Sequence, residues 1–291
     1  MPLLTLQELE LSAPLLRNRV GRALGRCAMR MLSVDRANAL YDRLCHLRGA
    51  DFARGVLGAL GIEYHLQAST PEVIAQLGEL SQSGMPFITI SNHPYGSVDG
   101  LILANCFGHM CPRYKLVANK VLLRIEALAP SLISVVPTGA ERGVPTRESI
   151  LGIRHALAHL RAGGSLGLFP AGAVSNLSLR HRCVLDREWQ LPIVRFMAKA
   201  RVPILPVHFG GGNSLFYYLL GLIDWRVRLL RLPAEVFNKS HRPVLLHVGP
   251  LVSVAEQQEY LASHTAEEFG LWLRGKVYGV PVRGRAGGGA P

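Results

Sequence analysis

His93 and Asp99 lie six residues apart in the segment Ser91-Asn92-His93-Pro94-Tyr95-Gly96-Ser97-Val98-Asp99-Gly100. Pro94 and Gly96 between them let the chain bend back on itself. A carboxylate returned to an imidazole in this way fixes the ring's tautomer and stabilises the imidazolium. The other ring nitrogen is then free to take a proton from a hydroxyl. On its own, such a pair is more often a loop hydrogen bond with no catalytic part. A metal reading that recruits His109 as a third ligand has no paired-ligand spacing behind it.

Two further segments have the composition of a site. Phe169-Pro170-Ala171-Gly172-Ala173-Val174-Ser175 follows an apolar run, and its proline and glycine let backbone N–H groups face a ligand. Val202-Pro203-Ile204-Leu205-Pro206-Val207 is a strand-like run with two prolines. Proline cannot donate to a ladder, so this run is expected at a sheet edge, or as an irregular strand near a site.

The elements that must position these segments follow from the hydrophobic pattern. Residues 13–33 read as an amphipathic helix, with Leu16, Val20, Leu24, Cys27 and Met31 on one stripe and Arg19, Arg22, Arg26 and Arg30 on another. That pattern suits a helix lying in a membrane interface and equally one packed on its own core. Residues 35–62 and 71–83 continue the helical region, the latter with Thr70 as N-cap and Pro71 at the first position. Strands are expected at 87–90, 132–136, 165–169, 202–209, 227–232 and 244–248. Helices are expected at 100–107, 146–162 and 192–200. Strands alternating with helices predict an α/β fold, a mixed central sheet flanked by helices, with an N-terminal helical region. Ser253-x-x-Glu256 and Thr265-x-x-Glu268 are capping boxes that start C-terminal helices. The expected division is a helical, membrane-associating region at 1–80, an α/β domain at 81–255, C-terminal helices at 256–281 and a disordered tail at 282–291.

Composition narrows the partners. Of 291 residues, 49% are hydrophobic and 18% charged, which excludes intrinsic disorder. The net charge is +12 and mean hydropathy is +0.21, a combination that favours an anionic membrane surface over nucleic acid. No zinc-finger, RNA-binding or basic-zipper motif argues otherwise. The five cysteines show no disulfide framework, so reduced thiols are expected. The N-terminus lacks a signal-peptide pattern, and the charge-free stretch at 202–223 holds two prolines and four glycines. A peripheral protein at the cytoplasmic face of the inner membrane is therefore expected, not a spanning one.

In order, these segments resemble the glycerolipid acyltransferase superfamily. Residues 35–255 look like the branch labelled hemolysin or lysophospholipid acyltransferase, related to enzymes that O-acylate lyso-ornithine and lyso-glycine lipids. The resemblance is carried by residues 92–100, by Val117-Ala118-Asn119-Lys120 and by Phe169-Pro170-Ala171-Gly172. It continues through Asp186-Arg187-Glu188-Trp189, Pro203-Ile204-Leu205-Pro206-Val207, Gly212-Asn213-Ser214 and Phe237-Asn238-Lys239.

The resemblance implies an acyltransferase-type fold, with His93 as general base and Asp99 as its orienting partner. A lyso-lipid hydroxyl would be the acceptor, and acyl-CoA or acyl carrier protein the donor, with no resident cofactor or metal. Asn92, Gly96, Phe169, Pro170, Ala171 and Gly172 are the expected substrate-binding residues. The Asn92 side chain and backbone N–H groups near Gly96 or Gly172 are candidate oxyanion donors. Two departures from the family concern phosphate. Ala171 stands where phospholipid-type members carry Glu, and residues 135–137 lack their Arg. Arg142, Arg147 and Arg180 are the remaining candidates for an anionic head group. The rival reading is a non-enzymatic, membrane-active or lipid-binding protein.

Overall fold

The computed structural model describes residues 33–135, 147–223, 228–229, 231–239 and 243–280. The expectations at 13–32, at Arg142 and at 282–291 lie outside these residues. Seven strands form one sheet: β1 (Tyr64–Ala68), β2 (Ile88–Ser91), β3 (Tyr114–Asn119), β4 (Leu132–Val135), β5 (Ser165–Leu168), β8 (Ile204–Phe209) and β9 (Val244–Val248). Their order is β1-β9-β8-β2-β5-β3-β4. From β8 to β4 every neighbour runs parallel, whereas β9 meets β8 antiparallel and pairs with β1 in parallel. The sheet is therefore mixed. A separate antiparallel pair, β6 (Asn176–Ser178) and β7 (Cys183–Leu185), follows β5.

Helices cover both faces, which is why the central strands are buried throughout. On one face, α2 (Gly49–Ala59) and α4 (Val98–Met110) bring Phe52, Ile102, Leu103 and Phe107 against Leu205, Val207 and Phe209 of β8. On the other, α5 (Arg147–Arg161), α6 (Leu191–Ala200) and α10 (Ala266–Tyr278) pack Leu160, Met197, Phe269 and Leu273 on Ile88, Ile90, Leu166 and Leu168. The helices α1 (Val34–Leu44) and α3 (Pro71–Ser83) complete the N-terminal helical region. The capping box at Thr265 is complete, with Glu268 bonding back to the cap. At Ser253, which caps α9 (Val254–Leu261), only the hydroxyl-to-Glu256 half is formed.

Four elements bear on these expectations. β8 lies inside the sheet, between β9 and β2, not at an edge. Its one proline, Pro206, is accommodated by a break in the β9 side of the ladder, while Pro203 precedes the strand. There the Pro206 carbonyl accepts from Gly249, and pairing resumes only at the Ile204–Val252 bridge. The Pro206 nitrogen faces that break, so no N–H is required of it. The strand expected at 227–232 is not seen among its described residues. Arg228 and Leu229 are helical, and α8 (Leu232–Phe237) starts with a proline in its first turn. Arg228 is buried and donates to the Val174 and Ser175 carbonyls, which explains a charge at an inward position. Finally, β1 lies among residues read as helical, and β3 covers the Val117–Asn119 block that had no assigned element.

Candidate active site

In a parallel sheet, ligands bind beyond the carboxyl ends of the strands. At that edge the chain leaving β2 carries Asn92 and His93, and the chain leaving its neighbour β5 carries residues 169–175. On the other side of β2, the chain leaving β8 carries residues 210–214. The three stretches meet.

Asp99 is fully buried in the first turn of α4, and His93 keeps 16% of its side chain exposed. The His93 Nδ1 and Asp99 Oδ2 atoms are 2.9 Å apart. A carboxylate only accepts, so the proton sits on Nδ1, and Nε2 is left as an acceptor. The backbone N–H groups of Tyr95 and Gly96 donate to the same Oδ2, at 3.1 and 3.2 Å, and that of Gly100 donates to Oδ1 at 2.9 Å. These donors, with the helix N-terminus, balance the buried charge. Gly96 makes the return possible: its φ is +85°, and a Cβ there would stand 2.9 Å from Leu232 and 3.0 Å from Val174.

Phe169 lies flat on the imidazole, with ring centroids 3.9 Å apart. Ala171 is buried. The Pro170 carbonyl accepts from the Gln190 backbone, and the Gly172 N–H closes a turn onto Phe169. Gly172 has φ +64°, and a Cβ there would run into the Gln190 amide.

Of the candidate oxyanion donors, the Asn92 side chain and the Gly96 and Gly172 N–H groups are engaged inside the fold. The Asn92 amide brackets the end of β8, donating to the Phe209 carbonyl at 2.9 Å and accepting from its N–H at 2.7 Å. The Gly96 N–H serves Asp99, and that of Gly172 serves Phe169. Arg147 and Arg180 are exposed. Arg147 begins α5, which follows β4, three strands from β2 and so roughly 14 Å across the sheet. Arg180 stands between β6 and β7. His109 is ten residues along α4 from Asp99, about 15 Å away, where it contacts the Asn105 carbonyl and Asp51. It does not join His93 and Asp99 in a ligand set.

Several residues around His93 had no assigned role in the sequence. The carboxylate of Asp186 accepts the His93 N–H and the Ser175 hydroxyl. The Tyr95 hydroxyl donates to the Gly210 carbonyl, and Asn213 donates to the Tyr95 carbonyl. Burial, reinforced by the Asp99 charge, pushes the Tyr95 phenol up to about 12, so it remains a donor. The Lys239 ammonium reaches the Gly212 carbonyl and Glu235, while Glu235 also holds the Ser214 hydroxyl and N–H. Burial pushes Glu235 up, but the Ser214 bonds and Lys239 outweigh it and hold the carboxyl below its ordinary range. The blocks 186–189, 212–214 and 237–239 were visible in the sequence. Their partners were not, because they lie far away along the chain.

Beyond these loops, α7 (Leu215–Ile223) turns Tyr217 and Tyr218 inward. The Tyr218 hydroxyl donates to the Pro94 carbonyl, one residue from His93. Leu215, Phe216, Leu219, Leu222 and Ile223 are exposed on the opposite side. Among the described residues no helix is long and apolar enough to cross a membrane.

Comparison with known proteins gives a consistent picture. The model of a family described as "Acyltransferase" matches residues 11–280. The chain is 24% identical over 252 residues to a lyso-glycine lipid O-acyltransferase of Bacteroides thetaiotaomicron, covering 84% of this chain and 85% of that protein. It is 27% identical over 168 residues to a lyso-glycine lipid O-acyltransferase of Phocaeicola vulgatus, covering 55% of this chain and 57% of that protein.

Proposed function

The chain belongs to the acyltransferase family, and from that premise we propose that it moves a fatty acyl group from a thioester to the free hydroxyl of a lyso-lipid at a membrane surface. The observation that carries the reading is the His93–Asp99 pair, with Nδ1 engaged and Nε2 left to accept a proton. His93 Nε2 takes the proton of the lipid hydroxyl as its oxygen attacks the thioester carbonyl carbon. Asp99 stabilises the imidazolium that forms. As the tetrahedral intermediate collapses, the C–S bond breaks and the proton passes from Nε2 to the sulfur. The products are an ester and a free thiol. The thiol carrier is coenzyme A or acyl carrier protein. A positioned base of this kind contributes about 10² to 10⁴ in rate.

The acceptor is a lyso-aminolipid or a lysophospholipid. The names of both relatives support the first. Ala171 and the exposure of Arg147 and Arg180 argue against lysophosphatidic acid as the preferred acceptor. The apolar outer side of α7 and the net charge of +12 support peripheral attachment to the cytoplasmic face of the inner membrane.

The test incubates purified protein with acyl-CoA or acyl carrier protein thioester. Each donor is offered lyso-glycine lipid, lyso-ornithine lipid or lysophosphatidic acid in vesicles, and the ester is detected by mass. Ester formation on an aminolipid is expected, with none from folded His93→Ala. Turnover by His93→Ala sinks the base assignment. A clear preference for lysophosphatidic acid overturns the acceptor.

A further inference from the structure

Two sets of contacts fix His93. Asp99 and Phe169 hold its ring, as described above. Its main chain is held separately, by the segment that runs from β5 to α6. The His93 carbonyl accepts the Ser175 N–H at 2.9 Å. The His93 N–H donates to Asp186 Oδ1 at 3.1 Å. The Ser175 hydroxyl donates to that same Oδ1 at 2.5 Å, closing a ring of bonds that contains both main-chain groups of His93.

Asp186 is itself anchored from behind. Its N–H donates to the Tyr278 hydroxyl at 2.9 Å, and its carbonyl accepts from Arg274 at 3.2 Å, so α10 grips the residue on both main-chain groups. The carboxylate is buried, and its second oxygen, Oδ2, has no hydrogen-bond partner among the described residues. Burial pushes the Asp186 carboxyl above its ordinary range, against the lowering by Ser175 and His93. Only one oxygen is in use, and it is used purely as an acceptor.

We infer that Asp186 is a positioning residue for the acyl-transfer base: its Oδ1 atom fixes the main chain of His93, and hence where Nε2 meets the lipid hydroxyl. The inference rests on His93 acting as the base. It assigns Asp186 no contact with substrate. A displacement of about 1 Å at a reacting group costs on the order of 10²-fold in rate. Without Asp186 Oδ1, the His93 N–H and the Ser175 hydroxyl both lose their acceptor in a buried place.

The experiment compares Asp186→Asn and Asp186→Ala with wild type in steady-state acyl transfer, using the acceptor and donor that wild type turns over. Asn keeps an acceptor oxygen and places its amino group where Oδ2 has no partner. Asp186→Asn is expected to keep kcat within about fivefold. Asp186→Ala is expected to lower kcat roughly 30- to 100-fold, with both KM values within about threefold, in protein that circular dichroism shows to be folded. Three results overturn the inference: wild-type kcat in Asp186→Ala, a loss expressed in KM alone, or a kcat loss in folded Asp186→Asn as deep as that of Asp186→Ala. The last would mean that the charge is needed and not the acceptor. If Asp186→Ala does not fold, Asp186→Asn decides alone, retention supporting the inference and loss ending it. His93→Ala is run alongside. Its turnover would bring down the base assignment, while the Asp186 series reads effects relative to wild type.

Discussion

The ring of Phe169 stacks on the ring of His93, 3.9 Å between centroids and 25° from parallel. Phe169 opens the chain after β5, and His93 lies two residues past β2, so two parallel neighbours deliver both rings to one point. A stacked aromatic pair is worth about 0.5–1.5 kcal/mol beyond its burial. The negative face of Phe169 also favours the imidazolium that proton transfer creates. Phe169→Leu keeps the bulk and loses the flat face. It is expected to lower kcat by about 2- to 12-fold, with KM within about threefold. An unchanged kcat in steady-state assays would deny the stack a part in the reaction.

Asn92 offers a sharper distinction. Its amide brackets the Phe209 backbone through two buried hydrogen bonds. Asn92→Ala leaves a buried N–H and a buried carbonyl unpaired, a cost of about 2–4 kcal/mol in stability. Denaturant melts should register this loss, while the folded fraction keeps kcat within about tenfold. A drop of 10²–10³ in kcat without loss of stability would mark the side chain as an oxyanion donor instead.

Acid should loosen the fold through buried His247 and half-buried His159. Burial holds His247 below its ordinary 6.5, and burial does the same to His159. Below 6.5 the unfolded chain therefore binds more protons than the native one, and stability falls as pH falls. Their stabilising contribution is complete above about 6.5 and is lost progressively beneath it. The midpoint of urea unfolding is expected to drop between pH 7.5 and pH 5.5. In His247→Leu the drop should be smaller. Equal drops in both proteins would remove His247 from the account.

The outer side of α7 provides the membrane test. Leu219 and Ile223 are exposed there and contribute little to the core. Leu219→Glu with Ile223→Glu should leave the thermal midpoint unchanged. Removing two apolar side chains from an interface, at about 1.5–3 kcal/mol for each fully buried side chain, should weaken vesicle binding by about 10²- to 10⁴-fold in flotation assays. Unchanged flotation would assign the membrane contact elsewhere.

The sequence made His93 and Asp99 legible because their contact is local: six residues, a proline and a glycine describe the return. It made α5 and β9 legible through periodicity, and the Thr265 cap through a four-residue pattern. It hid whatever depends on distance along the chain. The Asn92 bracket spans 117 residues and the Asp186 contact to His93 spans 93, and no local pattern encodes either. Of the two readings open for residues 202–207, the sheet edge fails and the irregular strand near a site holds. Two prolines argue for an edge only when the ladder beside them is continuous, and here Gly249 and the Val252 bridge interrupt it. β1 escaped because it borders the sheet with exposed residues in its middle, so its alternation is weak.

The grip of α10 on Asp186 sets an order of events during synthesis. His93 and Tyr278 are 185 residues apart and joined through Asp186. At about 5–20 residues per second, the ribosome needs roughly 10–40 s to travel from one to the other. Throughout that interval the nascent chain already has its histidine and its Asp99, yet lacks the helix that anchors their support. A partly made chain therefore holds a His93–Asp99 pair whose main-chain support is incomplete, and that support is finished when α10 docks.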